Sequence, residues 1–252
     1  MTPREILRHI DNGAEHFLLT LADAPHMTCI DADGYTVIHP NAGEEGVSFV
    51  CGLQLSDLST EESASLIARA KAEGLPVWFP LLATNEQFQQ FFGRARIHDA
   101  PLSADDEVYM ALLPHEVTAE PLAHPVIRAT DSISFSDCAA VINAVLSVGR
   151  PDLHPVHHLH LMKTGRIHAH VLYHNSNPVS AAVTMSNGGI ASLEFVATLP
   201  EYRHRGYAEA VCRQAVQDEL TRGATLITVR AVNPTVARLY ERLGFNAYNY
   251  AL

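Results

Sequence analysis

The chain has 252 residues, of which 47% are hydrophobic and 18% are charged, and its formal net charge is −11. This composition excludes a mainly disordered chain and leaves room for one large domain or two small ones. The acidic balance argues against a general nucleic-acid binder and, weakly, favours a cationic small substrate.

The cysteines and the apolar runs indicate the cellular compartment of the protein. The four cysteines are scattered without CxxC spacing, which indicates reduced thiols in a cytoplasmic protein. The first residues lack the apolar stretch of a signal peptide, and no apolar run approaches the roughly 20 residues that span a membrane. We therefore expect a cytoplasmic monomer or homodimer with no membrane or nucleic-acid partner.

The N-terminal half reads as alternating strands and helices. In chain order the patterns predict a strand, a helix, a strand, a short helix and a strand, over residues 47–53, 59–74, 75–80, 84–93 and 106–113. Ser59 and Glu62 form a capping box at the start of the first helix. Three prolines between residues 114 and 125 predict a linker, and hence two domains, over residues 1–120 and 126–252.

The C-terminal half repeats this order more clearly. Strands are predicted over residues 167–173, 178–185, 190–198, 225–231 and 245–250, with helices over 206–222 and 234–243. Asn233 is the predicted N-cap of the second helix. The similar spacing of the halves favours a diverged duplication, although chance remains open because strand–helix–strand order is common.

The segment EYRHRGYAEA places Arg203, His204 and Arg205 where a helix begins. This end of a helix carries a positive dipole and unpaired backbone N–H groups, which Ser, Thr, Asp or Asn normally caps. No such residue precedes the helix, while Gly206 permits close backbone approach and Ala208 is small. The pattern therefore predicts a phosphate-binding turn, the alternative being a turn with solvated arginines.

Two motifs then resemble the GNAT superfamily of acetyl-CoA-dependent N-acetyltransferases. The segment VATLPEYRHRGYAEAV is similar to the coenzyme-binding pattern of that family, through Arg203, Gly206 and Ala208. The segment NPTVARLYERLGF is similar to its second pattern, through Asn233, Leu239, Tyr240, Gly244 and Phe245, with Val236 where the family has alanine. The N-terminal half resembles a degenerate GNAT-like unit.

The resemblance implies a fold and a coenzyme site. We expect an α/β (α+β) GNAT fold, in which helices flank a mixed, mostly antiparallel central sheet, with a second, degenerate GNAT-like unit. The pyrophosphate of coenzyme A would lie on the turn, and the pantetheine arm along the preceding strand. The implied coenzyme-binding residues are Val196, Ala197, Thr198, Arg203, His204, Arg205, Gly206, Tyr207, Ala208 and Asn233. For Asn233, a plain helix N-cap is the alternative.

The resemblance also implies the chemistry. A neutral amine would attack the thioester, a backbone N–H near Val196 would hold the oxyanion, and Tyr240 would protonate the leaving thiolate. The alternative for Tyr240 is a core tyrosine on an apolar helix stripe. Glu194 is the predicted base, on the strand face opposite Leu193 and Phe195, unless it is an ordinary exposed glutamate.

Several histidines lie near the first of these strands. His168, His170 and His174 share one predicted strand face, but no acid or cysteine joins them at ligand spacing in the sequence. We therefore expect no metal, and we leave open a role in the substrate site or a solvated face. The expected activity is transfer of an acetyl group from acetyl-CoA to a primary amine of a small molecule. The alternative is a catalytically weak sensor or interaction module that binds coenzyme A on the same fold.

Overall fold

A computed structural model of the protein describes residues 1–44, 47–53, 58–75, 77, 107–114, 124–146 and 153–248. The helices described are α1 (Pro3–Ala22), α2 (Thr60–Ala72), α3 (Ser132–Leu146), α4 (Leu159–Lys163), α5 (Tyr207–Thr221) and α6 (Pro234–Arg242). The strands described are β1 (Met27–Ala32), β2 (Tyr35–Pro40), β3 (Phe49–Cys51), β4 (Val108–Leu112), β5 (Val126–Arg128), β6 (His168–His174), β7 (Asn177–Asn187), β8 (Ile190–Thr198), β9 (Leu226–Ala231) and β10 (Asn246–Tyr248).

Seven of these strands form the main sheet, in the order β10-β4-β9-β8-β7-β6-β5. Neighbouring strands are antiparallel except β8 and β9, which are parallel. A separate three-stranded antiparallel sheet holds β1, β2 and β3. The expected mixed, mostly antiparallel sheet with flanking helices is confirmed.

Helices cover both faces of the main sheet. On one face α3 packs through Phe135, Cys138 and Ile142, together with Phe17 and Leu21 of α1. On the other face α5 and α6 cover a second cluster, which includes Val211, Ala215, Ala237, Tyr240 and Phe245. The predicted strands and helices of the C-terminal half are confirmed, each within a few residues of its expected bounds.

The sequence reading did not predict α1. Thr2 and Glu5 form a capping box at its start, and Pro3 occupies the first helical turn. Its buried side chains recur at helical spacing, as in Ile6, Ile10 and Phe17. The helix crosses the main sheet and packs against β8, β9 and β4.

The strand β4 precedes the predicted linker but pairs in the main sheet. It lies between β9 and β10, with Met110 opposite Val229 and Ala247. The division into residues 1–120 and 126–252 stays a prediction, and α1 and β4 both contact elements on the far side of that boundary.

The small sheet carries its own helix. Leu66 and Ile67 of α2 pack on Tyr35, Val37 and Val50. The predicted capping box is present, since Ser59 Oγ accepts the N–H of Glu62 and the Glu62 carboxylate accepts the N–H of Ser59. The helix predicted over residues 84–93 lies outside the described residues, as does most of the strand over 75–80 and of the linker.

Candidate active site

The main sheet opens where β8 and β9 separate. Three residue pairs join these parallel strands, and the last is Ser192 opposite Thr228. β8 continues to Thr198 and β9 to Ala231 beyond that pair. We call this opening the fork. The backbone groups of β8 that face β9 beyond Ser192 are therefore placed to bond an extended ligand instead of a strand.

A β-bulge lies in β8 at the fork. The register with β7 passes from Val183–Glu194 to Ala181–Ala197, which leaves one extra residue in β8, and Phe195 has φ of 45°. Leu193 packs in the cluster under α5 and α6, whereas Phe195 packs in the cluster under α1 and α3. The expected placement of Leu193 and Phe195 on one face is wrong, because the bulge breaks the period of two.

The predicted phosphate turn has an unusual backbone. His204 has φ of 61° and Gly206 has φ of 79°, both in the left-handed region. Successive N–H groups in such alternating conformations form an anion-binding concavity. No side chain caps α5, in the part of the chain that the structure describes, and Ala210 N–H donates to the Gly206 carbonyl oxygen at 3.0 Å. The helix thus begins with backbone donors that no capping side chain accepts.

The two arginines of the turn bond to its backbone. Arg203 Nε donates to the Thr198 carbonyl oxygen at 3.2 Å, and an Arg205 guanidinium nitrogen donates to the Glu201 carbonyl oxygen at 3.3 Å. The Arg205 guanidinium also lies 5.6 Å from the ring centroid of Tyr202. Each guanidinium has five N–H donors, so these bonds fix the turn while charge remains beside it.

An aromatic cluster borders the turn, and sequence reasoning missed it. The Tyr207 hydroxyl lies 2.8 Å from His174 Nδ1, and the ring of Tyr207 meets that of His124 edge-on at 4.8 Å. The ring of His174 also lies 5.7 Å from that of Tyr202. These residues come from three separate segments, so no local spacing signals their meeting.

Tyr240 lies in the core below the fork. It is 3% exposed and its ring meets that of Phe245 edge-on at 5.8 Å. Burial raises the pKa of its phenol well above the usual value, and the carboxylate of Glu194 adds to that effect. The raised pKa keeps the phenol protonated at neutral pH, and it also makes the phenol a weaker acid than a free tyrosine.

Asn233 has the geometry of a helix cap. Its carboxamide oxygen accepts the Val236 N–H at 2.9 Å, and Pro234 occupies the first turn of α6. The cap accounts for the asparagine, and its contact with a coenzyme stays a prediction.

His168 and His170 of β6 are buried beside acids, so a solvated face is wrong for these two, whereas His174 is half-buried and lies beside Tyr207. His168 Nδ1 lies 2.7 Å from Glu219 Oε1, and His170 Nε2 lies 2.9 Å from Asp218 Oδ2. The acids come from α5, some 50 residues later, which is why sequence spacing hid them. Burial lowers the pKa of His170. For Glu219, burial by itself would raise the pKa of the carboxyl. Hydrogen bonds from His168 and Thr184 outweigh that effect, so the pKa of Glu219 is lowered.

No group of three or more histidine, cysteine, aspartate or glutamate side chains is placed to hold a metal ion among the described residues. None of the helices in the described part of the chain is long and apolar enough to cross a membrane.

Comparisons with known proteins place the domain. Residues 136–245 match the model of the acetyltransferase (GNAT) family. A comparison with curated proteins finds no match. The fold is similar to that of a GCN5-related N-acetyltransferase from Kribbella flavida, with TM-score 0.61 and 16% identity over 95% of this chain and 92% of that one.

Two further structures are similar over most of their length. A GCN5-related N-acetyltransferase from Sphaerobacter thermophilus has TM-score 0.57 and 13% identity, over 98% of this chain and 90% of its own. A functionally unknown conserved protein from Staphylococcus epidermidis has TM-score 0.51 and 12% identity, over 90% and 91%. At such identities these likenesses show the fold.

The family match and the fold agree with the site. Residues 136–245 form a GNAT acetyltransferase domain, and the matched residues include the fork, the predicted phosphate turn and Tyr240. The protein is therefore an acyltransferase.

Proposed function

We propose that the protein transfers an acetyl group from acetyl-CoA to a primary amine of a small molecule. The observation that carries the proposal is the left-handed turn at His204 and Gly206, which leads from the open strand β8 into an uncapped helix. A pyrophosphate would satisfy the N–H groups of that turn and would interact favourably with the helix dipole.

The coenzyme supplies a thioester-linked acetyl group. The turn from Arg203 to Ala208 would hold its phosphates, through backbone N–H groups and the adjacent guanidinium charges. Val196, Ala197 and Thr198 would bond the pantetheine arm along the fork. Gly206 fits this role because an added Cβ would find its nearest heavy atom, His124 Nε2, at 3.9 Å, so the concavity is open above it.

Two side chains and one backbone group would act on the reacting atoms. Glu194 would take the proton from the attacking amine, and Tyr240 would donate a proton to the departing sulfur. A backbone N–H near Val196 would donate to the carbonyl oxygen as it gains charge. The bulge at Phe195 supports this assignment, because a bulge leaves a backbone group outside the sheet ladder.

The acceptor class rests on charge. A primary amine is cationic in water, and both the net charge of −11 and the partly buried Glu194 beside the fork favour its approach. The amine must lose its proton before attack, which a carboxylate at this position can promote.

A coupled assay tests the proposal. The protein is incubated with acetyl-CoA and a panel of amino acids, polyamines and aminoglycosides, and release of free thiol is followed. We expect amine-dependent release from at least one class, and none from the Gly206→Glu variant. Coenzyme binding without release from any amine would instead indicate a sensor on the same fold, and absence of binding would refute the proposal.

A further inference from the structure

A second cavity lies away from the phosphate turn, between α1 and the end of the β7–β8 hairpin. Its volume is about 150 Å³. His9, Asn12 and His16 line it from α1, at spacings of three and four residues that put them on one helix face. Asn187 and Ser192 line it from the sheet. None of these residues has a part in the chemistry described above.

Ser192 places a hydroxyl with an unsatisfied hydrogen-bonding capacity at the cavity. Its side chain is 2% exposed, and its Oγ has no hydrogen-bond partner among the residues described. A buried hydroxyl without a partner is unfavourable in water-excluded surroundings, and it is explained where a ligand or a solvent molecule completes the bond.

Gly13 allows α1 to approach this point. A Cβ at Gly13 would lie 3.2 Å from Ser192 Cβ and 3.3 Å from Thr228 Oγ1, closer than ordinary contacts. Across the rim, Asn187 Nδ2 lies 3.5 Å from His16 Nε2, a distance at the outer limit of a hydrogen bond. The helix therefore closes over Ser192 and leaves an opening between the polar side chains of the rim.

The side chains that line the cavity favour an anionic ligand over a cationic one. Among the described residues that line the cavity there is no carboxylate, while a hydroxyl, two imidazoles and two carboxamides all offer donors. Met185 and Ile190 add apolar surface. A cation would find no counter-charge here, whereas a carboxylate can accept several hydrogen bonds. A cavity of roughly 150 Å³ is known to hold a benzene-sized molecule.

We propose that this cavity is a second ligand site, which binds a small aliphatic carboxylate. The carboxylate accepts hydrogen bonds from Ser192 Oγ and from donors of His16 and Asn12, and its carbon chain packs on Met185 and Ile190. The site is separate from the coenzyme site, since Ser192 ends the paired part of the fork and the coenzyme contacts begin at Val196. A ligand in this cavity would contact α1 on one side and β8 on the other, near the point where β8 and β9 separate.

Butyrate is the probe, because it has as many non-hydrogen atoms as benzene. The isosteric amide, butyramide, is the matched neutral control. Two-dimensional NMR of the full chain without coenzyme follows the amide signals of Asn12, His16, Asn187 and Ser192 during each titration. We expect saturable shifts at these signals with a millimolar dissociation constant, since so small a ligand gains little free energy.

Three variants decide the outcome. Ser192→Ala should weaken butyrate binding by about tenfold or more, because it removes a bond to a charged acceptor. His16→Gln should weaken it as well, while His39→Gln, on β2, should not. Binding that is unchanged in Ser192→Ala, butyramide binding as tight as butyrate, or no localised shift at tens of millimolar butyrate would each overturn the proposal.

Discussion

Two segments of the protein have the same order of elements and differ at one point. β3 leads into α2 and then to Val77, which bridges Val50 in parallel; β8 leads into α5 and then to β9, also in parallel. The helix α2 begins with a capping box at Ser59 and Glu62, whereas α5 begins at Gly206 with no side-chain cap from the residues that the structure describes.

This difference is the reason that we propose a ligand site at the start of α5 and none at the start of α2. In α2 the side chain of Ser59 accepts the donor that the helix leaves unpaired, and two acidic residues in the first turn face the dipole. In α5 basic residues precede the helix and the donors are left for an anion. We therefore expect the segment from β8 through α5 to β9 to bind coenzyme and, together with α6, to carry the chemistry. We expect the segment from β3 through α2 to Val77 to do neither.

The largest expected effect concerns Tyr240, which belongs to the C-terminal unit alone. Tyr240→Phe keeps the ring and most of its packing but removes the proton donor. We expect turnover at saturating acetyl-CoA to fall by about 10²–10⁴-fold, with coenzyme affinity nearly unchanged. The measurement is the initial rate of thiol release with the best amine of the panel.

Tyr173→Phe is the matched control for Tyr240. It also removes a hydroxyl, one that donates to Asp137 Oδ2 at 2.8 Å away from the fork. Turnover in this variant should stay near that of the wild type. If Tyr240→Phe kept more than about a third of wild-type turnover, far short of the loss expected for a positioned acid, Tyr240 would be a core residue only.

The next effect concerns the contact between α1 and the segment before α4. His158 Nε2 lies 2.9 Å from the Leu21 carbonyl oxygen, and its Nδ1 accepts the His154 N–H at 2.8 Å. The bond to Nδ1 requires a neutral ring, because a protonated Nδ1 cannot accept, whereas Nε2–H can donate to Leu21 in either protonation state. Burial, together with the neighbouring histidines, lowers the pKa of His158 from 6.5 to about 4 despite the bond to Leu21.

The pH dependence follows from that lowered pKa. As the pH falls below 6.5 the unfolded chain takes a proton at His158, whereas the folded chain does so only near pH 4. The contribution of His158 to the free energy of unfolding is therefore fully present above pH 6.5 and falls by up to about 3 kcal/mol between pH 6.5 and pH 4. Urea denaturation across the same pH range measures it. His158→Gln should lessen the fall relative to wild type and to His39→Gln; equal slopes in all three would contradict the assignment.

These contacts mark the limits of prediction from sequence. Gly206, Asn233 and the Ser59 capping box were predictable because each acts on residues within four positions along the chain. The pairing of His168 with Glu219, and of His158 with Leu21, joins distant segments, and no local pattern encodes it. The bulge at Phe195 was missed for another reason, since an alternating strand pattern looks the same with or without an extra residue.

The third prediction concerns a substitution that blocks the start of α5. Gly206→Glu places a bulky negative side chain where the phosphates should lie. Acetyl-CoA at 100 times its dissociation constant should stabilise the wild type by about 2.7 kcal/mol, which corresponds to a rise in Tm of roughly 5–11 °C. It should leave the Tm of the variant unchanged. Thermal-shift titration measures both, and calorimetry should give one coenzyme per chain because α2 has its own cap.

Gly223→Glu is the matched control for Gly206→Glu. Gly223 follows the other end of α5 and also has positive φ, and an added Cβ would meet no heavy atom of the described, non-adjacent residues within 4 Å. The variant thus carries similar backbone strain and the same charge, one helix length away from the turn. It should keep the coenzyme-induced shift. Loss of the shift in both variants would attribute the effect to strain or net charge and not to the turn.

The smallest expected effect concerns the N-cap of α2, which is the capped helix of the two compared. Ser59→Ala removes the side chain that accepts the Glu62 N–H, which should lower the free energy of unfolding by about 1 kcal/mol. Ser59→Thr retains a hydroxyl and should lose far less. Because α2 is not expected to hold coenzyme, both variants should bind acetyl-CoA as the wild type does. Urea denaturation and coenzyme titration of the three proteins measure these quantities. A changed coenzyme affinity in Ser59→Ala would mean that the two helix starts are coupled, and the division of roles between them would then fail.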